Sequence, residues 1–188
     1  MDMNVHPQIE RCAPEISAGL MTALVQRESN GNPFAIGLDG KEGFFPQPRS
    51  LHEAVSAAEA LTKHGKTFSV GLAQIHSSNI KSLGITWRQA FDGCENLRVG
   101  QQIFSSFHSK AIKAGFRNAD AVFAALRGYN SGNLYAPVSN VYATAIMANA
   151  TSDLRRRLSP SGAVRYIGHV TSPTAEPVQS ESAELFEK

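Results

Sequence analysis

Apolar side chains recur along most of this chain at intervals of three and four, the spacing that lines one face of an α-helix. In residues 13–29, APEISAGLMTALVQRES, the stripe is Ile16, Leu20, Met21, Ala23 and Leu24, with Pro14 placed as a first-turn proline and NGNP as the stop. The following GLDGKEGFFPQPR reads as a turn-rich loop, because its glycines and prolines exclude regular structure. Residues 50–65 return to the helical pattern, with Ser50 and Glu53 spaced as a capping box and Gly65 at the end. FSVGLAQIHSSNIKSLGI mixes apolar residues with Gly and Ser, which predicts a tight turn and short helical pieces. Two further capping boxes, Thr86 with Gln89 and Asp92 with Glu95, precede a long helix striped by Leu97, Phe104, Phe107, Ala111 and Ala114 and closed by Gly115. Another helix starts at Asn118 as its cap and runs to YNSGN, and a last one covers residues 139–149. No stretch alternates convincingly with the period of a strand, so the expected class is all-α.

From Thr151 serine, proline and charge replace the apolar periodicity. The expected organisation is one helical domain over residues 1–150 and a flexible tail over residues 151–188. Arg155, Arg156 and Arg157 read as a solvated helix end, with a polyanion contact as the competing reading.

The 188 residues, 42% of them hydrophobic, suffice to bury one substantial core. A net charge of +2 suits an anionic polymer but is too mild to indicate nucleic acid, and no apolar run has the length of a membrane span. The start, MDMNVHPQIERC, lacks the basic leader and apolar segment of a secretory signal, so the expectation is a mature form or export by another route.

The two cysteines, Cys12 and Cys94, are either buried free thiols or, in an oxidising compartment, the ends of a bridge. Such a bridge would close a loop of about 80 residues and contribute on the order of 4 kcal/mol. A metal site is not expected: the six histidines are scattered, and HEAVS has Ser56 where a zinc-protease helix needs its second histidine.

Glu28 carries the candidate chemistry. At about 100° per residue it projects between the directions of Leu24 and Met21, inside the apolar arc of its helix. A glutamate in a last turn is ordinarily exposed, but here both the apolar surroundings and the negative end of the helix dipole oppose its charge. Both effects raise its pKa and make it a candidate proton donor near neutral pH.

ESNGNPFAIG, SVGLAQI and YNSGN, in that order over a helical frame, resemble the catalytic domain of lytic transglycosylases of the goose-type lysozyme superfamily. The insertion GFFPQPRSLHEAV and the later FDGCENLRVG resemble more narrowly the peptidoglycan-cleaving transglycosylases that accompany type IV secretion systems. The resemblance covers Cys12 to Asn149 and implies a lysozyme-like helical fold with a glycan-binding cleft. It makes Glu28 the sole catalytic acid and base, and places Ser69, Gln74, Tyr129, Asn130 and Tyr142 as substrate-binding residues. Plain structural roles compete: Gln74 could satisfy a tight turn, Tyr129 could fill core, and Gly71 reads as backbone passing close to another element.

Cleavage of a glycosidic bond usually employs two carboxylates. No second acid is apparent here, since Asp92 is explained as a cap while Asp39 and Glu42 sit in a loop. The resemblance resolves this through the substrate: the acetamido group of muramic acid assists, its primary hydroxyl attacks the anomeric carbon, and an anhydro ring results without water. It further implies peptidoglycan strands as partner, secretion-apparatus proteins recruited through the tail, a periplasmic location, no cofactor, and a bridge between Cys12 and Cys94. Where many members carry methionine this chain has Ala73, which reads as widening one wall of the cleft. The competing functions are a lysozyme-type muramidase that uses water and a catalytically inactive glycan-binding assembly factor.

Overall fold

The computed structural model describes residues 5–40 and 45–158, with side chains from 7 to 151 within those limits. Among these residues eight α-helices and one small sheet follow the order α1 (Val5–Cys12), α2 (Ala18–Ser29), β1 (Ile36–Leu38), α3 (Leu51–Lys63), β2 (Phe68–Val70), β3 (Ile75–His76), α4 (Ser77–Leu83), α5 (Trp87–Ala90), α6 (Gly93–Lys113), α7 (Asn118–Ser131) and α8 (Asn140–Leu158). The fold is mostly helical, as the patterning predicts. Among the described residues no helix is long and apolar enough to cross a membrane.

α2 is the central element and packs against α1 and α8, while α6 packs against α1 and α7. It begins at Ser17, whose hydroxyl accepts the Leu20 N–H at 3.3 Å, so the predicted first-turn role of Pro14 is displaced to the turn ahead of it. Met21, Ala23, Leu24 and Val25 face the core, and Asn30 ends the helix in the left-handed conformation (φ 54°). α1 is absent from the pattern-based expectation. Its one apolar turn, Ile9 with Cys12, is too short to show periodicity and is helical because α6 and α2 bury it.

Three short antiparallel strands, in the order β1-β2-β3, accompany the helices, two of them within the stretch whose pattern predicts a tight turn and short helical pieces. Leu38 pairs with Phe68 and Ile36 with Val70, and Ser69 then pairs with His76. Elements this short cannot display a period of two. The β2–β3 turn, Gly71 to Gln74, has Gly71 at φ +77° and Gln74 at φ +47°.

Asn96, fully buried on α6, holds this turn from within. Its amide donates to the carbonyls of Val70 (3.0 Å) and Ala90 (2.8 Å), and its oxygen accepts the Ala73 N–H (2.8 Å). A Cβ at Gly71 would stand 2.2 Å from the Asn96 amide nitrogen, so the glycine is required by close approach as well as by φ.

The capping boxes differ in execution. Thr86 and Gln89 form the full reciprocal pair. Ser50 and Asp92 each accept the N–H three residues on, but Glu53 reaches back to the Arg49 N–H and Glu95 pairs with Arg98. Asn118 does not cap α7: it is the first helical residue, and no side chain caps that end. Ala114 is exposed and falls outside the α6 core stripe. Cys12 and Cys94 form a disulfide that fastens α1 to the start of α6.

The last helix continues to Leu158, past the predicted end at Asn149. The rest of the predicted tail, residues 159–188, lies outside the described residues, as do Glu42 and the side chains of Arg155, Arg156 and Arg157.

Candidate active site

A cleft of about 830 Å³ runs between the sheet and the α6–α7 pair. Glu28 enters it from the last turn of α2, Ser69 and Gln74 from the sheet, and Tyr129 and Asn130 from the end of α7. Leu83, Ile103 and Phe107 contribute apolar surface to its lining.

Glu28 sits mostly out of water. Desolvation raises its pKa above 4.5, outweighing two opposing effects, the Tyr142 hydrogen bond and the nearby Arg27 charge. The Tyr142 hydroxyl, delivered by the first turn of α8, donates to Glu28 Oε1. Tyr142 is itself only 7% exposed and stands behind the carboxylate, outside the cleft lining. Burial and the Glu28 charge push its own pKa far up, so it remains a neutral donor. At the same helix end, Ser29 donates to the Leu72 carbonyl at 2.8 Å and ties α2 to the β2–β3 turn.

The remaining candidates converge on the cleft with part of their hydrogen-bonding capacity already committed. Gln74 donates its amide to the carbonyls of Gly71 (2.9 Å) and Ala35 (3.2 Å). Tyr129 donates to the Ala73 carbonyl at 2.7 Å, and burial, followed by the Glu28 charge, raises its pKa. Asn130 donates to the buried Ser139 hydroxyl at 2.8 Å, leaving its oxygen for another partner. Ala73 does not widen the cleft: it is fully buried, and a Cβ at Gly100 of α6 would lie 2.7 Å from its methyl.

One constellation was not anticipated. Asp39, at the end of β1, lines the cleft and accepts from His76 Nε2 at 2.8 Å, while His76 Nδ1 is 2.7 Å from the Ser78 hydroxyl. Partial burial, the largest single effect, favours the acid, but hydrogen bonds from Thr67 and His76 together hold the Asp39 carboxyl below its usual range. Asp39 and His76 are 37 residues apart, and only strand pairing brings them together. Among the described residues, no group of three His, Cys, Asp or Glu is placed to hold a metal ion.

The profile of the family described as "Transglycosylase SLT domain" matches residues 7–136. The chain is 37% identical over 147 residues to "Type IV secretion system protein virB1" of Brucella abortus biovar 1 (strain 9-941), covering 75% of this chain and 61% of that protein. It is 27% identical over 154 residues to "Protein virB1" of Rhizobium radiobacter, covering 80% of this chain and 62% of that one. It thus spans about three-fifths of the length of these curated relatives. No solved structure matches it significantly.

Proposed function

The chain belongs to the transglycosylase SLT domain family, and we propose that it is a peptidoglycan lytic transglycosylase with Glu28 as its acid and base. The observation that carries this reading is a desolvated carboxyl, hydrogen-bonded by Tyr142, at the wall of a cleft large enough for sugar residues. The protonated Glu28 gives its proton to the oxygen linking N-acetylmuramic acid to N-acetylglucosamine, and the C–O bond breaks. Positive charge develops at the anomeric carbon, where the acetamido group of the same sugar assists. The primary hydroxyl of the muramic residue attacks that carbon, its proton returns to Glu28, and a 1,6-anhydro ring closes. Atoms balance without water. Ser69, Gln74 and the Asn130 oxygen position the strand, while Tyr142 orients the acid.

Relatives named as type IV secretion system proteins support a setting in the bacterial envelope, with local opening of the wall for a secretion apparatus. Residues 151–188 are the segment through which apparatus proteins are recruited in this reading. The ionised Asp39 in the same cleft supports a second reading, a muramidase in which that carboxylate activates water. Weighing the products of purified peptidoglycan separates the two. Anhydro-ended fragments, lighter by one water, support the transglycosylase; hydrated reducing ends support the muramidase. Absence of any soluble fragment overturns both in favour of a glycan-binding factor without turnover.

A further inference from the structure

We propose that Ser78, His76 and Asp39 form an ester-hydrolysing triad in the wall of the cleft, removing O-acetyl groups from sugar hydroxyls of the bound strand. The tautomer of His76 follows from its contacts. The Ser78 backbone N–H can only donate, and it points at His76 Nδ1 from 3.2 Å, so Nδ1 carries a lone pair and the ring proton resides on Nε2. The Nε2–H then donates to Asp39 Oδ2 at 2.8 Å, and the Ser78 hydroxyl donates to Nδ1 at 2.7 Å. Nucleophile, base and orienting carboxylate are therefore linked in the order a serine hydrolase requires, with the two ring nitrogens exchanged relative to the usual arrangement. Capping of α4 by His76 accounts for the backbone contact alone. It requires neither a carboxylate behind the ring nor a hydroxyl in front of it.

Access is also met. All three side chains line the cleft, with Asp39 45% and His76 35% exposed and Ser78 at the surface. Ser78 Oγ attacks the ester carbonyl carbon as its proton passes to Nδ1. The bond from the acyl carbon to the sugar oxygen breaks, and that oxygen leaves as a free hydroxyl with the proton from Nδ1. Water then attacks the acyl-serine through the same base, releasing acetate and restoring Ser78. Asp39 remains ionised and stabilises the transient imidazolium.

The choice of a glycan ester rests on the reading of the cleft given above; the triad chemistry does not. Within that reading the two activities are connected, since an acyl group on the muramic primary hydroxyl removes the nucleophile that closes the anhydro ring. Ester hydrolysis has to precede cleavage at such a residue.

The experiment uses the full chain. Wild-type protein is expected to hydrolyse 4-nitrophenyl acetate, to release acetate from O-acetylated peptidoglycan, and to take a fluorophosphonate label on Ser78. Ser78→Ala is expected to lose the label and to slow both ester reactions by about 100-fold or more. Asp39→Asn is expected to slow them while keeping the serine in place. Anhydro products from deacetylated strands without acetate release from acetylated ones overturn the triad and leave the transglycosylase reading intact. Acetate release by Ser78→Ala at the wild-type rate overturns the triad as well. Labelling and small-ester hydrolysis without any glycan binding uphold the triad and overturn the glycan reading.

Discussion

The hydroxyl of Tyr142 donates to Oε1 of Glu28 from a position 114 residues further along the chain. This bond favours the ionised carboxylate, in opposition to the desolvation that favours the acid. In Tyr142→Phe only the Arg27 charge is left to oppose burial, and the Glu28 pKa rises further. Because the reaction starts from protonated Glu28, the falling limb of the rate against pH moves to higher pH. The plateau drops by about 10- to 100-fold as orientation is lost. A pH profile of fragment release by both proteins checks the two effects separately.

Glu28→Gln is expected to reduce glycan cleavage by about 100- to 10,000-fold, measured as soluble fragment release, with an unchanged circular dichroism spectrum.

The same variant has a stability signature with a defined sign. The native carboxyl titrates above 4.5, so as pH rises through the unfolded value the unfolded chain gives up its proton first. Ionisable Glu28 therefore costs stability at neutral pH, fully so above its native pKa. Glu28→Gln is expected to melt at a higher temperature than wild type at pH 7, with the difference vanishing below about pH 4. Thermal melts at the two pH values measure it.

Asn96 satisfies two carbonyls and one N–H, from the β2–β3 turn and from the end of α5. Asn96→Leu strands all three in the interior and is expected to cost about 3 kcal/mol or more in urea denaturation. Gly71→Ala, pressed against the same amide, is expected to destabilise by about 2 kcal/mol or more.

The Cys12–Cys94 bridge spans 82 residues of sequence. Replacing both cysteines by serine is expected to remove about 2–5 kcal/mol. The urea midpoint of the double variant against oxidised wild type reads the loss.

The helices were legible wherever burial makes a stripe several turns long, as in α2, α6 and α7. α1 and the three strands were not, since a single turn or two residues carry no period and owe their form to partners distant in the chain. Glu28 was legible because an acid inside an apolar arc is anomalous within its own helix. Asp39 gave no such signal: a loop aspartate among glycines is unexceptional until β1, β2 and β3 align and set it beside His76. The polar contacts of Asn96 were hidden for the same reason, as an asparagine one turn into a helix looks like any other surface residue.

Gln74 has consequences for what the trench can recognise. Both hydrogens of its carboxamide point inward to peptide oxygens, and a methyl at Gly37 would sit 2.7 Å from the remaining Oε1. Such a side chain greets a passing saccharide only as a proton acceptor. At this spot the wall discriminates by asking the guest to bring the hydrogen, favouring hydroxyls and amide N–H groups over ring ethers and carboxylates.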